Sequence, residues 1–183
     1  MIRRGTHHLS SCRGMRKYLF WRSQQFSITF DALLIGHEAG ITSLAWRPMP
    51  RDSIDHVPTL LSTSTDSSLI LWSPSSIGEN SSQHPSTSIW INRQRFGDIG
   101  GQRLGGFVGG VWAKTGGDSL AWGWGGGWRR WTCSSEASLS SAGNELWTET
   151  GAIGGHCGPV KGLDWSPTGS YLISAGLYKF WFV

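Results

Sequence analysis

Short apolar runs bounded by turn residues set the pattern of this chain. Thr59-Leu60-Leu61-Ser62 and Tyr171-Leu172-Ile173-Ser174 read as strands separated by turns. Gly106-Phe107-Val108-Gly109-Gly110-Val111-Trp112-Ala113 reads as an inner strand. Leu120-Ala121-Trp122-Gly123-Trp124 then alternates with period two, Gly125-Gly126-Gly127 supplies a turn, and Trp128-Arg129-Arg130-Trp131 returns, which together predict a hairpin. The stretch from Ser73 to Ser88 is dense in Ser, Pro, Asn and Gln and reads as a surface loop. The predicted fold class is all-β.

An internal repeat sharpens that reading. Gly36-His37-Glu38-Ala39-Gly40-Ile41-Thr42-Ser43-Leu44-Ala45-Trp46-Arg47-Pro48 has a partner in Gly155-His156-Cys157-Gly158-Pro159-Val160-Lys161-Gly162-Leu163-Asp164-Trp165-Ser166-Pro167, with His and Trp nine positions apart in both. The first copy continues as Leu61-Ser62-Thr63-Ser64-Thr65-Asp66-Ser67-Ser68-Leu69-Ile70-Leu71-Trp72, and at these residues the chain resembles the WD-repeat family. The resemblance implies a β-propeller in which His37, Ser62, Asp66 and Trp72 form a buried hydrogen-bonded set within one blade. Such a set satisfies polar groups that burial would otherwise leave unpaired. The second copy departs from the pattern, because Tyr178 stands four residues past Ser174 where Asp is expected and Trp181 is out of register. Between the copies, Gly125 occupies the position six before Trp131 that Asp66 holds before Trp72, so that unit is expected to depend on aromatic packing.

The organisation expected is a basic, disordered leader over 1–30 followed by a partial propeller over 31–183. Its parts are a blade over 33–72, a loop over 73–88, a divergent blade over 89–150 and a truncated blade over 151–183. About two to three blades of roughly 40–45 residues cannot close a ring, so the terminal strands are expected to expose unpaired backbone groups that favour sticking to other chains.

Composition agrees with strands that pack rings and reverse tightly, since the 183 residues include 12 Trp and 26 Gly. No run of about 18 apolar residues is present, which excludes a membrane-spanning helix. The formal charge of +4 is uneven: six of the 16 basic residues (Arg3, Arg4, Arg13, Arg16, Lys17, Arg22) precede Asp31, the first acidic residue. The remainder carries ten basic against 12 acidic residues, so a phosphate-gripping surface could come only from the leading segment. That segment is Arg-, Ser- and His-rich and acid-free, like a mitochondrial transit peptide, but lacks an amphipathic period. Cys12, Cys133 and Cys157 are odd in number and far apart, so neither a disulfide framework nor a zinc site is signalled and a reducing compartment is expected.

Several motifs carry a second reading. Ser62, His37 and Asp66 are also the residue types of a hydrolase triad, but no G-x-S-x-G elbow accompanies them. His156 beside Cys157 suggests a metal or catalytic pair only weakly, since sequence neighbours rarely converge on one point. The Trp- and Arg-rich run from Trp122 to Trp131 has the residue types that stack bases, although Trp122 and Trp124 on one strand face are more simply core. Gly97-Asp98-Ile99-Gly100-Gly101 and Leu104-Gly105-Gly106 lack the G-K-[ST] ending of a phosphate loop and read as turns. Asn80-Ser81-Ser82 fits a glycosylation acceptor, relevant only to a secreted chain.

The middle of the chain supports a narrower resemblance. Ile89-Trp90-Ile91-Asn92-Arg93-Gln94-Arg95-Phe96-Gly97-Asp98-Ile99-Gly100-Gly101, the run Gly106 to Gly110, Ala121 to Trp124, Gly127 to Trp131 and the repeat Gly155 to Pro167 are similar to the WD-repeat scaffold subunits of the Elongator complex, over about residues 33 to 177. That resemblance implies a non-catalytic scaffold with no cofactor, no metal and no small-molecule substrate. It would hold the catalytic and the largest Elongator subunits and so support wobble-uridine modification of tRNA, contacting tRNA only indirectly, in the cytoplasm and also the nucleus, with no membrane partner. Arg93, Arg95 and Arg103 are the expected partner-contact surface, on a loop. The alternative from another class is a general WD-repeat adaptor or an RNA-binding module using the leader and the Trp/Arg hairpin.

Overall fold

The computed structural model describes residues 8–10, 17–24, 27–48, 57–75, 89–97, 106–116, 118–123, 125–134, 145–177 and 181–182, with side chains described from Ala32 onward except those of 118–122, 152 and 181–182. Every regular element among them is a β-strand. Four antiparallel meanders follow one another: β1 (His8–Ser10), β2 (Lys17–Gln24) and β3 (Ser27–Ile35) form a leading sheet; β4 (Ile41–Trp46), β5 (Leu60–Ser64), β6 (Ser68–Pro74) and β7 (Trp90–Gly97) form the first complete blade. The middle blade comprises β8 (Phe107–Trp112), β9 (Asp118–Gly123), β10 (Gly127–Cys133) and β11 (Trp147–Gly154), and the last sheet β12 (Val160–Trp165), β13 (Leu172–Gly176) and β14 (Trp181–Phe182). None of these sheets closes into a ring, and their arrangement is that of a partial propeller.

The apolar clusters lie between successive sheets, and this explains a feature of the sequence. In β5 every residue is buried, so Leu60 and Leu61 stand side by side instead of alternating with polar positions. Consecutive side chains point to opposite faces. Leu60 faces a cluster with Ala32, Leu34, Ile41, Ile70 and Trp72, shared with β3, whereas Leu61 faces one with Leu69, Leu71, Phe96, Phe107, Trp112, Trp131 and Trp147, shared with the middle blade. Val160 and Leu163 of β12 close a further cluster with Val108, Val111 and Trp128. The middle blade packs through rings: Trp131 stands 5.9 Å from Phe96 and 6.0 Å from Phe107, and Trp112 stands 5.7 Å from Trp147. The Phe107–Trp131 and Trp112–Trp147 pairs are edge-to-face, and such pairs add about 0.5–1.5 kcal/mol each to area burial.

Backbone contact between sheets is close at Gly126, whose φ of +81° suits glycine and whose added Cβ would fall 2.1 Å from the His156 carbonyl. The same turn accepts the His156 amide at 3.2 Å on Gly126 O, tying the middle blade to the last sheet.

The observed boundaries differ from those expected in three places, the simplest being that β11 carries the middle blade on to Gly154, past the expected limit at 150. Trp90–Gly97 is the fourth strand of the first blade, paired antiparallel to β6, and not the start of the divergent blade; the chain crosses the Ser/Pro-rich stretch and then returns to the same sheet. Within the supposed disordered leader lie β1, β2 and the first residues of β3. Their register repeats that of the first blade. Trp21 pairs with His8 as Trp72 pairs with Leu60, Ser10 pairs with Leu19 as Ser62 pairs with Ile70, and the pairing of β2 with β3 shifts beside Trp21 as that of β6 with β7 shifts beside Trp72. Arg and Ser content masked this signal, and no Gly-His dipeptide marks it.

Candidate functional site

The residues singled out from the WD-like repeat meet in the first blade. His37 follows β3 in the loop into β4, Ser62 lies in β5, Asp66 in the β5–β6 turn and Trp72 in β6. Gly36 must be small here, because a Cβ would stand 2.8 Å from the Trp72 ring. The Trp72 indole N–H donates to Ser62 Oγ at 2.9 Å, Ser62 Oγ lies 2.8 Å from His37 Nε2, and His37 Nδ1 lies 3.0 Å from Asp66 Oδ2. One proton arrangement satisfies all three contacts: Trp72 donates to Ser62, Ser62 to His37, and His37 to Asp66.

Asp66 is the hub of this network. It also accepts the backbone amide of Glu38 at 2.8 Å, the amide of Ser68 at 2.9 Å and the Ser68 hydroxyl at 2.5 Å. Burial pushes its carboxyl up, but hydrogen bonds from His37, Ser68 and the Glu38 amide outweigh burial and hold it well below the usual carboxylate range. Arg95, on β7, reaches Asp66 at 3.6 Å and Glu38 at 3.5 Å.

The three residues therefore have triad-like distances and none of a triad's access. Ser62 is 0% exposed and His37 5% exposed, so no substrate carbonyl reaches Oγ, which is already engaged by the Trp72 indole. A nucleophile needs a reachable reacting atom beside it. This constellation holds a blade together.

The other units keep fragments of the set. In the last sheet His156 Nε2 lies 2.9 Å from Ser174 Oγ, Tyr178 lies outside the described residues, and Trp181 pairs with Ala175, the register position that Leu69 holds opposite Thr63, so it does not replace Trp72. In the middle blade Ala121 and Gly125 occupy the positions of Ser62 and Asp66, and Trp131 occupies that of Trp72. Within the Trp/Arg hairpin, Trp131 is buried, Trp128 packs on the Val160 and Leu163 cluster, and Arg129 pairs with Glu149 at 3.9 Å, while the side chain of Trp122 and residue Trp124 lie outside the described residues. The described rings are thus engaged within the fold. Among the described residues no three His, Cys, Asp or Glu side chains gather into a metal-binding group.

The structure places two of the three arginines read as one partner surface. Arg93 and Arg95 lie on a strand and not on a loop, and Arg103 lies outside the described residues. Arg95 turns inward to Asp66, whereas Arg93 is exposed, with its Nε donating to Ser73 Oγ at 2.6 Å. Sequence reasoning missed Ser68 and Arg95 as members of the polar network. Ser68 was within reach of sequence reasoning as a short polar residue two past Asp66; Arg95 needed the β6–β7 register, which places it opposite Ile70.

Comparison with known proteins agrees with this architecture. The model of the WD domain, G-beta repeat, matches residues 28–73 and 147–179. Elongator complex protein 2 of Schizosaccharomyces pombe is 35% identical over 157 residues, covering 81% of this chain and 17% of that one. The same-named proteins of Drosophila melanogaster (31% over 150 residues, 82% and 16%) and Dictyostelium discoideum (33% over 162 residues, 86% and 16%) are similar too. The chain spans about a sixth of the length of these curated relatives. It is a partial WD-repeat β-propeller, similar over about four fifths of its own length to one stretch of Elongator complex protein 2.

Proposed function

We propose that this chain acts as a non-catalytic scaffold element of the Elongator complex, holding the catalytic and largest subunits and so supporting wobble-uridine modification of tRNA. The observation that carries the reading is the similarity to Elongator complex protein 2 across 81% of the chain, which includes the linking sequence between the two WD-repeat matches. Physical sense supports it as well. Packed blades form a rigid frame that presents loops and outer strands, and a buried polar set such as His37, Ser62, Asp66 and Trp72 stiffens that frame without offering a reactive centre. Its place of action is the cytoplasm, with the nucleus as a further compartment.

In this reading Arg93 and Arg103 contribute to the partner surface, while Arg95 belongs to the frame. Charge reversal at an interface rim changes association by roughly tenfold for a pair of such residues. Arg93→Glu with Arg103→Glu, Arg95 retained, is therefore expected to lower recovery of the catalytic and largest subunits by about tenfold in co-purification, with the melting temperature of the chain unchanged. Undiminished recovery from the stable double variant removes this surface from the account.

A further inference from the structure

We propose that the seam between the first and middle blades contains a guanidinium-binding site, built wholly by the middle blade and filled in cis by Arg47 of the first. Arg47 follows β4. Its Nε donates to the Gly116 carbonyl at 2.7 Å, and its Nη1 stands 2.7 and 3.0 Å from the two carboxylate oxygens of Glu145. Its guanidinium carbon lies 5.5 Å from the Trp112 ring and 5.5 Å from the Trp147 ring. The receptor groups are themselves fixed: the Trp147 indole donates to Glu145 Oε2 at 3.1 Å, and the Trp112 indole donates to the Ala45 carbonyl at 3.0 Å. The Arg47 side chain is 12% exposed.

The class of ligand follows from this shape. A planar fork donates in its plane to a carbonyl and a carboxylate while its face meets two indoles, and a partly desolvated cation against such rings gains more than an exposed one. An ammonium supplies one point charge and no face, so lysine does not replace arginine here. Among the described residues the seam to the last sheet shows no such cage: Ala113 follows Trp112 there, and Lys114 donates to the Pro167 carbonyl. The site does not rest on the Elongator reading. It adds one cation to the apolar joint between the first and middle blades, and a vacated cage would accept an external guanidinium group.

The test is thermal melting of the full chain as wild type, Arg47→Ala, Arg47→Met and Arg47→Lys, in about 10 mM guanidinium chloride or equal methylammonium chloride, a range suited to the weak affinity of a four-atom ligand. All three variants are expected to melt about 5 °C or more below wild type, and guanidinium alone is expected to return about 3 °C to the Ala and Met variants while leaving wild type unimproved. Arg47→Met keeps the apolar stem and separates lost packing from lost charge. Should a variant fail to fold, its refolding yield with and without guanidinium serves as the readout, and a gain is expected. No selective response to guanidinium, or a Lys variant as stable as wild type, overturns the proposal.

Discussion

Replacing Trp131 with alanine is expected to destabilise the chain by about 4 kcal/mol, the middle of the range for truncating a buried tryptophan. Trp131 is 3% exposed and lies in the cluster where Leu61, Leu69, Leu71 and Phe96 of the first blade meet Phe107, Trp112 and Trp147 of the middle blade. Its removal leaves a cavity at the joint between two sheets. Total stabilities of domains are about 5–15 kcal/mol, and a loss of this size unfolds a large share of molecules under mild stress. Urea midpoints at unchanged slope measure it. The companion substitutions separate packing from hydrogen bonding. Trp131 stands at the register of Trp72, and Ala121 holds the register position that Ser62 holds in the first blade. Trp131→Phe should therefore cost about 1 kcal/mol, while Trp72→Phe costs roughly 1–3 kcal/mol more by leaving Ser62 without its indole donor. Equal costs for the two phenylalanine variants would show that the polar set contributes little.

The second large effect is expected at Asp66. Its carboxylate accepts from His37, Ser68 and the Glu38 amide and pairs with Arg95. Asp66→Ala leaves these groups without an acceptor, and breaking a buried charged network from one side costs about 3–5 kcal/mol. Asp66→Asn keeps the shape and loses the charge, so a smaller loss is expected. The pH dependence has a definite sign. The folded-state carboxyl is held below its unfolded value, so its contribution is fully present above about pH 4–5 and is lost as pH falls from the unfolded value of about 3.9 towards the folded one. Denaturation midpoints between pH 6 and pH 2 are expected to fall more steeply for wild type than for Asp66→Asn. Parallel curves would place the acid sensitivity elsewhere.

How far the sequence could be read depended on how local each signal is. The spacing of His37, Ser62, Asp66 and Trp72 is a property of one meander, and the hairpin from Leu120 to Trp131 is a property of adjacent strands; both lie within short reach of the chain. Arg95 and Arg47 were not legible in that way. Arg95 joins Asp66 only because the chain returns after the Ser/Pro-rich stretch to add β7 to the same sheet, and Arg47 meets Glu145 across 98 positions and two sheets. The sequence places Arg95 on a partner-facing loop, whereas pairing geometry assigns it to the frame. Strands β1 to β3 escaped for another reason. Their pattern of Trp21 opposite His8 emerges only once register is known, because the Asp and Gly-His punctuation that marks the first blade is missing there.

In this partial propeller the two kinds of contact lie in different places. Its polar set sits inside one blade, and its aromatic cluster and Arg47 clamp sit between blades, so stiffness within a sheet and docking between sheets rest on different chemistry. Substitutions in the two classes are therefore separable by experiment.

The most direct test of the scaffold account is a chimera in which this chain replaces the matching stretch of Elongator complex protein 2 in Schizosaccharomyces pombe, with the assembled complex isolated and wobble-uridine modification measured in the tRNA. The account predicts an intact complex and retained modification. A soluble, folded chimera that fails to recruit the catalytic and largest subunits would contradict it.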